Sequence, residues 1–172
     1  TIAIGRDTGL VQLWTRDGVK SALAGHTAAV DQLAFVDATI LATASFDGSA
    51  RVWNLATGVA RVLPHPGHVQ ALAVLGDGRL ATGNAVEPNH LATIRIWDVE
   101  TATLESEWRA HLQAIYELAV TRDHRTLISS GADSTARTWP LDAPATIPRA
   151  NLAWLDALSS AVVGPGDAIT SR

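Results

Sequence analysis

The sequence predicts an all-β fold built from repeated four-stranded antiparallel units. Three observations carry that prediction. Tryptophans recur at intervals of roughly forty residues, a histidine motif recurs ahead of them, and short strand-like runs bounded by turn residues fill the space between. Trp14, Trp53, Trp97 and Trp139 follow one another at 39, 44 and 42 residues. Each ends a run with strand character: VQLW, ARVW, TIRIW and ARTW. Three of the four have an arginine two places earlier, Arg51, Arg95 and Arg137.

The histidine motif defines the register. His26 precedes Val30, Leu33 and Phe35; His65 precedes Val69, Leu72 and Val74; His111 precedes Ile115, Leu118 and Val120. The pair Gly67-His68 resembles Gly25-His26 but stands three residues out of step, so His65 is the equivalent of His26. Next come LATAS (41–45), LATGN (80–84) and LISSG (127–131), with Thr43, Thr82 and Ser129 in one slot. From that slot to the tryptophan is 10 residues in the first and last copies and 15 in the middle one. The middle copy therefore carries an insertion within NAVEPNHLA (84–92). Asp47 and Asp133 each lie six residues before their tryptophan, and the middle copy has no aspartate there.

Each copy reads as four short strands. Apolar and polar residues alternate in VQLW and RVW, as on a pleated surface. Asp47-Gly48 suits a tight hairpin turn, because glycine accepts positive φ. The step from Val30 to Leu33 breaks the period of two and the step to Phe35 restores it, which predicts a β-bulge early in that strand. Units of this kind cannot bury both faces alone and must stack on neighbours.

On these residues the chain resembles the WD40-repeat β-propeller family, as a segment of about four blades. The dipeptide of the family's name is intact only at Trp97-Asp98; elsewhere it is Trp14-Thr15, Trp53-Asn54 and Trp139-Pro140. The resemblance implies a propeller with a partial blade over 1–24, repeats over about 25–60, 61–104 and 105–145, and a partial blade over 146–172. It also implies a buried hydrogen-bonded relay in each good blade: Asp47, His26, Thr43 and Trp53 in one, and Asp133, His111, Ser129 and Trp139 in another. Between them stand His65, Thr82 and Trp97 without the aspartate. The donor and acceptor inventory of these side chains lets them satisfy one another when buried. Aspartate, histidine and serine are also the residues of a hydrolase triad. Here they recur once per unit beside a tryptophan, and no nucleophile elbow, phosphate loop or zinc motif accompanies them, so the expected protein is not an enzyme.

Composition narrows the partners. The 172 residues are 47% hydrophobic and 17% charged, which fits a globular domain. A net charge of -4 gives no electrostatic footprint for nucleic acid or an anionic membrane. No cofactor is expected. Cysteine is absent, which fits a reducing, cytoplasmic setting and removes thiolate metal sites. Methionine is absent too, and the terminal runs break off within a unit, so a segment of a longer propeller is expected.

In the family the turn at Asp47 and the loop at His26 share one rim. Candidate contacts to a protein or peptide partner there are Phe46, Asp31 and Gln32 on one unit, His68 and Gln70 on the next, and Gln113, Tyr116 and Glu117 on the third. Glu87, Asn89 and His90 add polar reach within the insertion, which is expected to project from the same rim. His65 and His68 have a spacing that can hold a metal, but His65 already has a structural role and no acid is near in sequence, so no metal is expected. The three arginines are expected to lay their stems over apolar strand surface. Trp108 is expected on an outer strand and Trp154 on an inner, core one. The expected function is a non-catalytic interaction scaffold. The alternatives are a regulatory or sensor module fused to a kinase, protease or NTPase, and an enzymatic propeller using inner-strand acids such as Asp31, Glu117 and Asp156.

Overall fold

The computed structural model describes residues 1–85 and 91–141. Among the described residues there are 14 strands and no helix. The first sheet holds β1 (Ile2–Gly5), β2 (Val11–Thr15) and β3 (Gly18–Leu23). The second holds β4 (Val30–Phe35), β5 (Ile40–Ser45), β6 (Ser49–Asn54) and β7 (Ala60–Pro64). The third holds β8 (Val69–Val74), β9 (Arg79–Asn84), β10 (Ala92–Asp98) and β11 (Leu104–His111). The fourth holds β12 (Ile115–Val120), β13 (Thr126–Gly131) and β14 (Ala136–Pro140). Every pairing is antiparallel between consecutive strands. The partial blade expected over 146–172, with Trp154 and Asp156, lies outside the described residues.

Sheets and sequence repeats are offset by one strand. The repeat boundaries near residues 60 and 104 fall at the starts of β7 and β11, and each of these is the outer strand of the preceding sheet. One repeat thus supplies the outer strand of one sheet and the inner three of the next, which ties neighbouring sheets covalently.

Neighbouring sheets bury their faces against each other. Val11, Leu13 and Leu23 of the first sheet pack with Leu41 and Trp53 of the second. Ala42, Ala44 and Leu63 of the second pack with Leu72, Leu80 and Trp97 of the third. Ala81, Ile94 and Ile96 of the third pack with Ile115, Leu127 and Trp139 of the fourth. Each repeat tryptophan therefore faces the preceding sheet. Strand β5 shows why a lone sheet is unstable: Leu41 and Thr43 face back, Ala42 and Ala44 face forward, and all four have 0% exposure. Small residues on the forward face make room for the large ones opposite. Gly83 is the extreme case, since a Cβ there would lie 2.7 Å from Ile115 Cγ2.

The buried faces also hold polar relays. In the second sheet His26 Nδ1 lies 2.8 Å from Asp47 Oδ2, and His26 Nε2 lies 2.7 Å from Thr43 Oγ1. Trp53 Nε1 donates to the same hydroxyl at 2.9 Å. A carboxylate only accepts, so Nδ1 carries the imidazole proton, Nε2 accepts from the threonine, and that oxygen accepts from the indole. The fourth sheet repeats the arrangement. His111 Nδ1 is 3.0 Å from Asp133 Oδ1, its Nε2 is 2.8 Å from Ser129 Oγ, and Trp139 Nε1 donates to Ser129 at 2.9 Å. The third sheet lacks the aspartate and replaces it with backbone: His65 Nδ1 donates to the Leu63 carbonyl at 2.9 Å, while Thr82 bridges His65 and Trp97 at 2.7 and 2.9 Å. Each histidine sits on the connection or outer strand leading into the sheet whose hydroxyl it meets, so a relay spans the entry to its sheet rather than lying within one. The first sheet has no such relay. Ile4 stands ten residues before Trp14, in the hydroxyl slot, and the buried Trp14 Nε1 has no partner among the described residues.

Two turns carry the aspartates. Asp47 Oδ1 accepts from the Ser49 amide at 2.9 Å and the Ser49 hydroxyl at 2.7 Å. Asp133 Oδ1 accepts from the Thr135 amide at 3.1 Å and hydroxyl at 2.7 Å. Ser49 and Thr135 are relay members that the sequence reading passed over, although both stand two residues after their aspartate. The next turn position needs positive φ. Gly48 takes it at 82° without strain, and Ser134 takes it at 62°.

Burial pushes the His26 and His111 imidazoles below their ordinary pKa, against the raising effect of their aspartates. His65 has no aspartate to oppose burial, and with Arg95 nearby its pKa falls to about 4. Burial alone would raise Asp47 and Asp133, but hydrogen bonds from Ser49 and His26, and from Thr135 and His111, win and bring each to about 2.

Thr43→Val keeps the shape and removes the bridging hydroxyl, orphaning one buried acceptor and one buried donor. A loss of about 2–4 kcal/mol in urea unfolding is expected; a loss below about 0.5 kcal/mol would show that the relay is dispensable. Ser134→Gly relieves a left-handed residue, and a gain of about 0.5–1 kcal/mol is expected after the extra freedom of the unfolded glycine is subtracted. Acid should act first through histidine. A histidine with a lowered folded pKa is protonated preferentially when unfolded, so its contribution is complete above 6.5 and is lost as pH falls. Urea midpoints measured from pH 7 downward should decline between 6.5 and about 4, the His65 window, with a further loss between 3.8 and about 2 as Asp47 and Asp133 protonate. His65→Gln should make the first segment shallower, leaving the part due to His26 and His111, and should not change the second.

Candidate interaction rim

The relay turns and the connections into β4, β8 and β12 lie at one end of the sheets. That end is rigid for reasons internal to the chain. Asp47 accepts from the Thr27 amide at 3.0 Å, and Asp133 from the Leu112 amide at 3.0 Å, so each carboxylate binds its hairpin turn to the incoming connection. Backbone bonds add to this: Val30 donates across sheets to the Arg6 carbonyl at 3.1 Å, and His65, where the connection into β8 begins, donates to the Gly48 carbonyl of the β5–β6 turn at 2.9 Å.

The innermost strands each contain one bulge, at the same place. Pairing skips between Val30 and Gln32, between Val69 and Ala71, and between Ile115 and Glu117. The skipped residues are Asp31, Gln70 and Tyr116. A bulge re-aims its extra side chain away from the pleat. Asp31 is exposed, Gln70 is half-buried and Tyr116 is 57% exposed. The relay residues beneath are nearly identical in kind, while the bulge residues are an acid, an amide and a phenol.

Other candidates are placed unequally. Phe46, on the β5–β6 turn, stacks on His68 from the next connection, with ring centroids 5.1 Å apart and planes 7° apart. This couples two sheets through an aromatic pair in which His68 is exposed and Phe46 half-buried. Gln113 and Glu117 are exposed, and Leu112, which the sequence reading did not single out, is 66% exposed beside them. Gln32 is not a free contact. Its Oε1 accepts from the Leu72 amide on β8 at 2.8 Å and its Nε2 donates to Glu117 Oε2 on β12 at 3.0 Å, because the open edge of an innermost strand needs partners for its backbone. Burial, and then the Glu117 charge, hold the Asp31 carboxyl above its ordinary pKa.

The insertion begins later than its sequence suggests. Asn84 ends β9 with 3% exposure, and its Oδ1 accepts from the Thr93 amide at 2.7 Å and hydroxyl at 3.2 Å. The hydrogen bonds that an aspartate would make in the turn are made here by an asparagine from the strand, so Asn84 does not project. Glu87, Asn89 and His90 lie outside the described residues. Among the described residues no cluster of three or more histidines and acids is arranged for a metal. Nor is any helix there long and apolar enough to cross a membrane.

The arginines differ from one another. Arg51 lies over Trp53 with Cζ 5.7 Å from the ring, and its buried Nε has no partner among the described residues. Arg95 pairs with Glu107 at 2.7 Å and donates to the Pro64 carbonyl at 3.0 Å. Arg137 approaches Asp133 at 3.8 Å. Trp108 is a packing residue: it stacks on Trp139 of the next sheet at 5.7 Å.

Comparison with known proteins agrees with this architecture. The family model "WD domain, G-beta repeat" matches residues 18–54 and 102–140. Each match runs from near an outer strand through the inner three strands of the next sheet. Transducin beta-like protein 3 of Rattus norvegicus is 32% identical over 139 residues, covering 77% of this chain and 17% of that protein. Nuclear distribution protein PAC1 of Arthroderma otae is 28% identical over 153 residues, covering 82% and 33%. Apoptotic protease-activating factor 1 of Rattus norvegicus is 27% identical over 150 residues, covering 85% and 12%. The chain thus spans a third or less of the length of these relatives. Among solved structures, the computationally designed Ika4 protein superimposes with a TM-score of 0.68 at 24% identity, over 80% of this chain and 83% of that one, a likeness of fold alone. Repeat spacing, stacked antiparallel sheets and matched segments converge: this chain carries WD40 repeats and belongs among the WD-repeat proteins.

Proposed function

We propose that the chain is a non-catalytic protein-interaction scaffold and that a protein or peptide partner docks on the relay-bearing rim. WD-repeat relatives are typically interaction scaffolds, which supports the class and leaves the partner open. One observation carries the placement. Three equivalent bulges on one rigid platform present Asp31, Gln70 and Tyr116, so the same backbone device offers three different chemistries to one ligand surface. The stacked Phe46 and His68 supply an aromatic face next to them, and Leu112 an apolar one. Aromatic anchors with a polar surround are what a compact protein contact needs. The aspartates and histidines below are engaged in the relays.

A second reading has its own support. The chain covers 12% to 33% of three relatives that include Apoptotic protease-activating factor 1. This favours a recognition module within a larger regulatory protein. The two readings share the rim and differ in what the bound partner controls.

The test is capture of a partner by the intact protein, followed by affinity measurement on variants. Phe46→Ala and Tyr116→Ala should each weaken binding by roughly tenfold or more, as for anchor residues, with unchanged urea midpoints for Tyr116→Ala. Deleting 86–90 should weaken it further if the insertion takes part. Full affinity in the Phe46→Ala, Tyr116→Ala double variant would remove the rim from consideration.

A further inference from the structure

The end opposite the relays carries a second surface. Here the β4–β5, β6–β7, β8–β9 and β10–β11 turns of the second and third sheets meet and leave a groove of about 690 Å³. Its floor is apolar, formed by Val36, Ile40, Val52 and Val99, and Val59 stands at its wall with 65% exposure. Asp37, Asp77, Asp98 and Glu100 line the same groove. The cation among the lining residues is Arg61, whose guanidinium is engaged by the Glu100 carbonyl.

The carboxylates have a local duty that does not exhaust them. Asp37 Oδ1 accepts from the Thr39 amide and hydroxyl and from the Ile40 amide, at 2.6, 2.8 and 2.9 Å. Asp98 Oδ1 accepts from the Thr101 amide and hydroxyl at 2.6 and 2.7 Å. In both residues these turn bonds use one oxygen and leave Oδ2 for another donor. The same bonds, from Thr39 and from Thr101, hold both carboxyls below their ordinary pKa, with the nearby Arg61 charge adding a smaller effect on Asp98, so both are charged at neutral pH. Turn formation does not require that charge. Asn54 closes the β6–β7 turn in the same groove with a neutral amide, accepting from the Ala56 and Thr57 amides at 3.0 and 3.1 Å. Negative charge is therefore present beyond what the turns need, beside aliphatic side chains of which Val36 and Ile40 are half-buried and Val59 is exposed.

We propose that this groove is a docking site for a partner-protein segment that carries arginine or lysine next to aliphatic side chains. Charge complementarity selects the occupant. The aliphatic groups cover the valine and isoleucine floor, and the cationic heads reach the free oxygens of Asp37 and Asp98 with charge-assisted hydrogen bonds. Asp77 is already paired with Arg79, Nε to Oδ2 at 2.7 Å, so an acidic segment would meet the charges of Asp37, Asp98 and Glu100, and a polar uncharged one would leave the exposed aliphatic groups wet. The site is separate from the relay-bearing rim and does not depend on it.

The probe is a fluorescently labelled peptide that alternates arginine and leucine, titrated into the protein, with a glutamate–leucine peptide as control. The arginine peptide should bind, weaken as salt is raised, and lose roughly tenfold in affinity in Asp37→Asn, Asp98→Asn protein. Both substitutions keep a turn acceptor, as Asn54 does. Val59→Lys, at an exposed position outside the core, should weaken binding similarly without a change in urea midpoint. Phe46→Ala and Asp31→Asn, at the other end, should bind as the parent does. The proposal is overturned if the parent protein fails to bind the peptide at millimolar concentration, if the groove variants bind as well as the parent, or if the loss appears in Phe46→Ala or Asp31→Asn instead.

Discussion

The structure depends on a hydroxyl with two jobs. Thr43, Thr82 and Ser129 each accept from an indole and donate to an imidazole inside an otherwise apolar face. A hydroxyl can do both at once, and the proton order then runs in one direction from tryptophan to the histidine's outer nitrogen. The consequence is geometric. The indole fixes the third strand, the hydroxyl fixes the second, and the imidazole fixes the connection into the first. A large ring needed to fill the space between sheets is thereby satisfied and oriented, while the ends of the relay set where the rim turns lie. Each relay stabilises packing and positions a surface with the same few atoms.

The relays also explain why the third sheet tolerates losing its aspartate. In the second and fourth sheets the carboxylate joins the histidine to both the turn and the connection. In the third sheet those duties are divided. The Leu63 carbonyl takes the imidazole proton, and Asn84 takes the turn amide. The histidine keeps its tautomer and its contact to Thr82. The five residues by which this copy is longer than its neighbours fall between Asn84 and Thr93. The balancing change is electrostatic: burial acts on His65 with no carboxylate to support its charge, and its pKa falls to about 4.

Much of the fold was legible because its signals are short-range or repeated. The bulge after Val30 shows as a break in the period of two, and Asp47-Gly48 reads as a turn because only the backbone demands of a hairpin explain the pair. Spacing marked the repeated positions, and the resemblance to WD40 repeats grouped His26, Thr43, Asp47 and Trp53, whose side chains lie within hydrogen-bonding distance. What was not legible lies in contacts between elements distant in sequence. Nothing local to Gln32 reveals that β8 and β12 will claim its amide. Asn84 reads as the start of a loop until Thr93 is seen to fold back on it. Ser49 and Thr135 were readable, two residues after each aspartate, but look like ordinary strand residues unless the turn's spare donors are counted. The offset between sheet and repeat was hidden for a related reason: an outer strand has the same alternation whichever neighbour it joins.

The two ends of the sheets differ in how freely their residues can vary. At the relay end the turns are bound to buried histidines, so change is confined to positions that the backbone re-aims outward, such as the bulge residues Asp31, Gln70 and Tyr116. At the other end the turns are closed by single oxygens of Asp37, Asn54 and Asp98, each acting on its own turn. Asparagine and aspartate serve that purpose equally, so charge there is free to be set by something other than folding. Stacking sheets radially places polar ties of different kinds at the two ends: buried histidine relays where connections enter, and at the far turns single bonds to backbone carbonyls, from Arg61 to Glu100 and from His124 to Leu75. A repeat array of this kind has one surface whose side chains vary on a fixed frame and another whose charge varies at constant shape. Recognition can use either without disturbing the core between them.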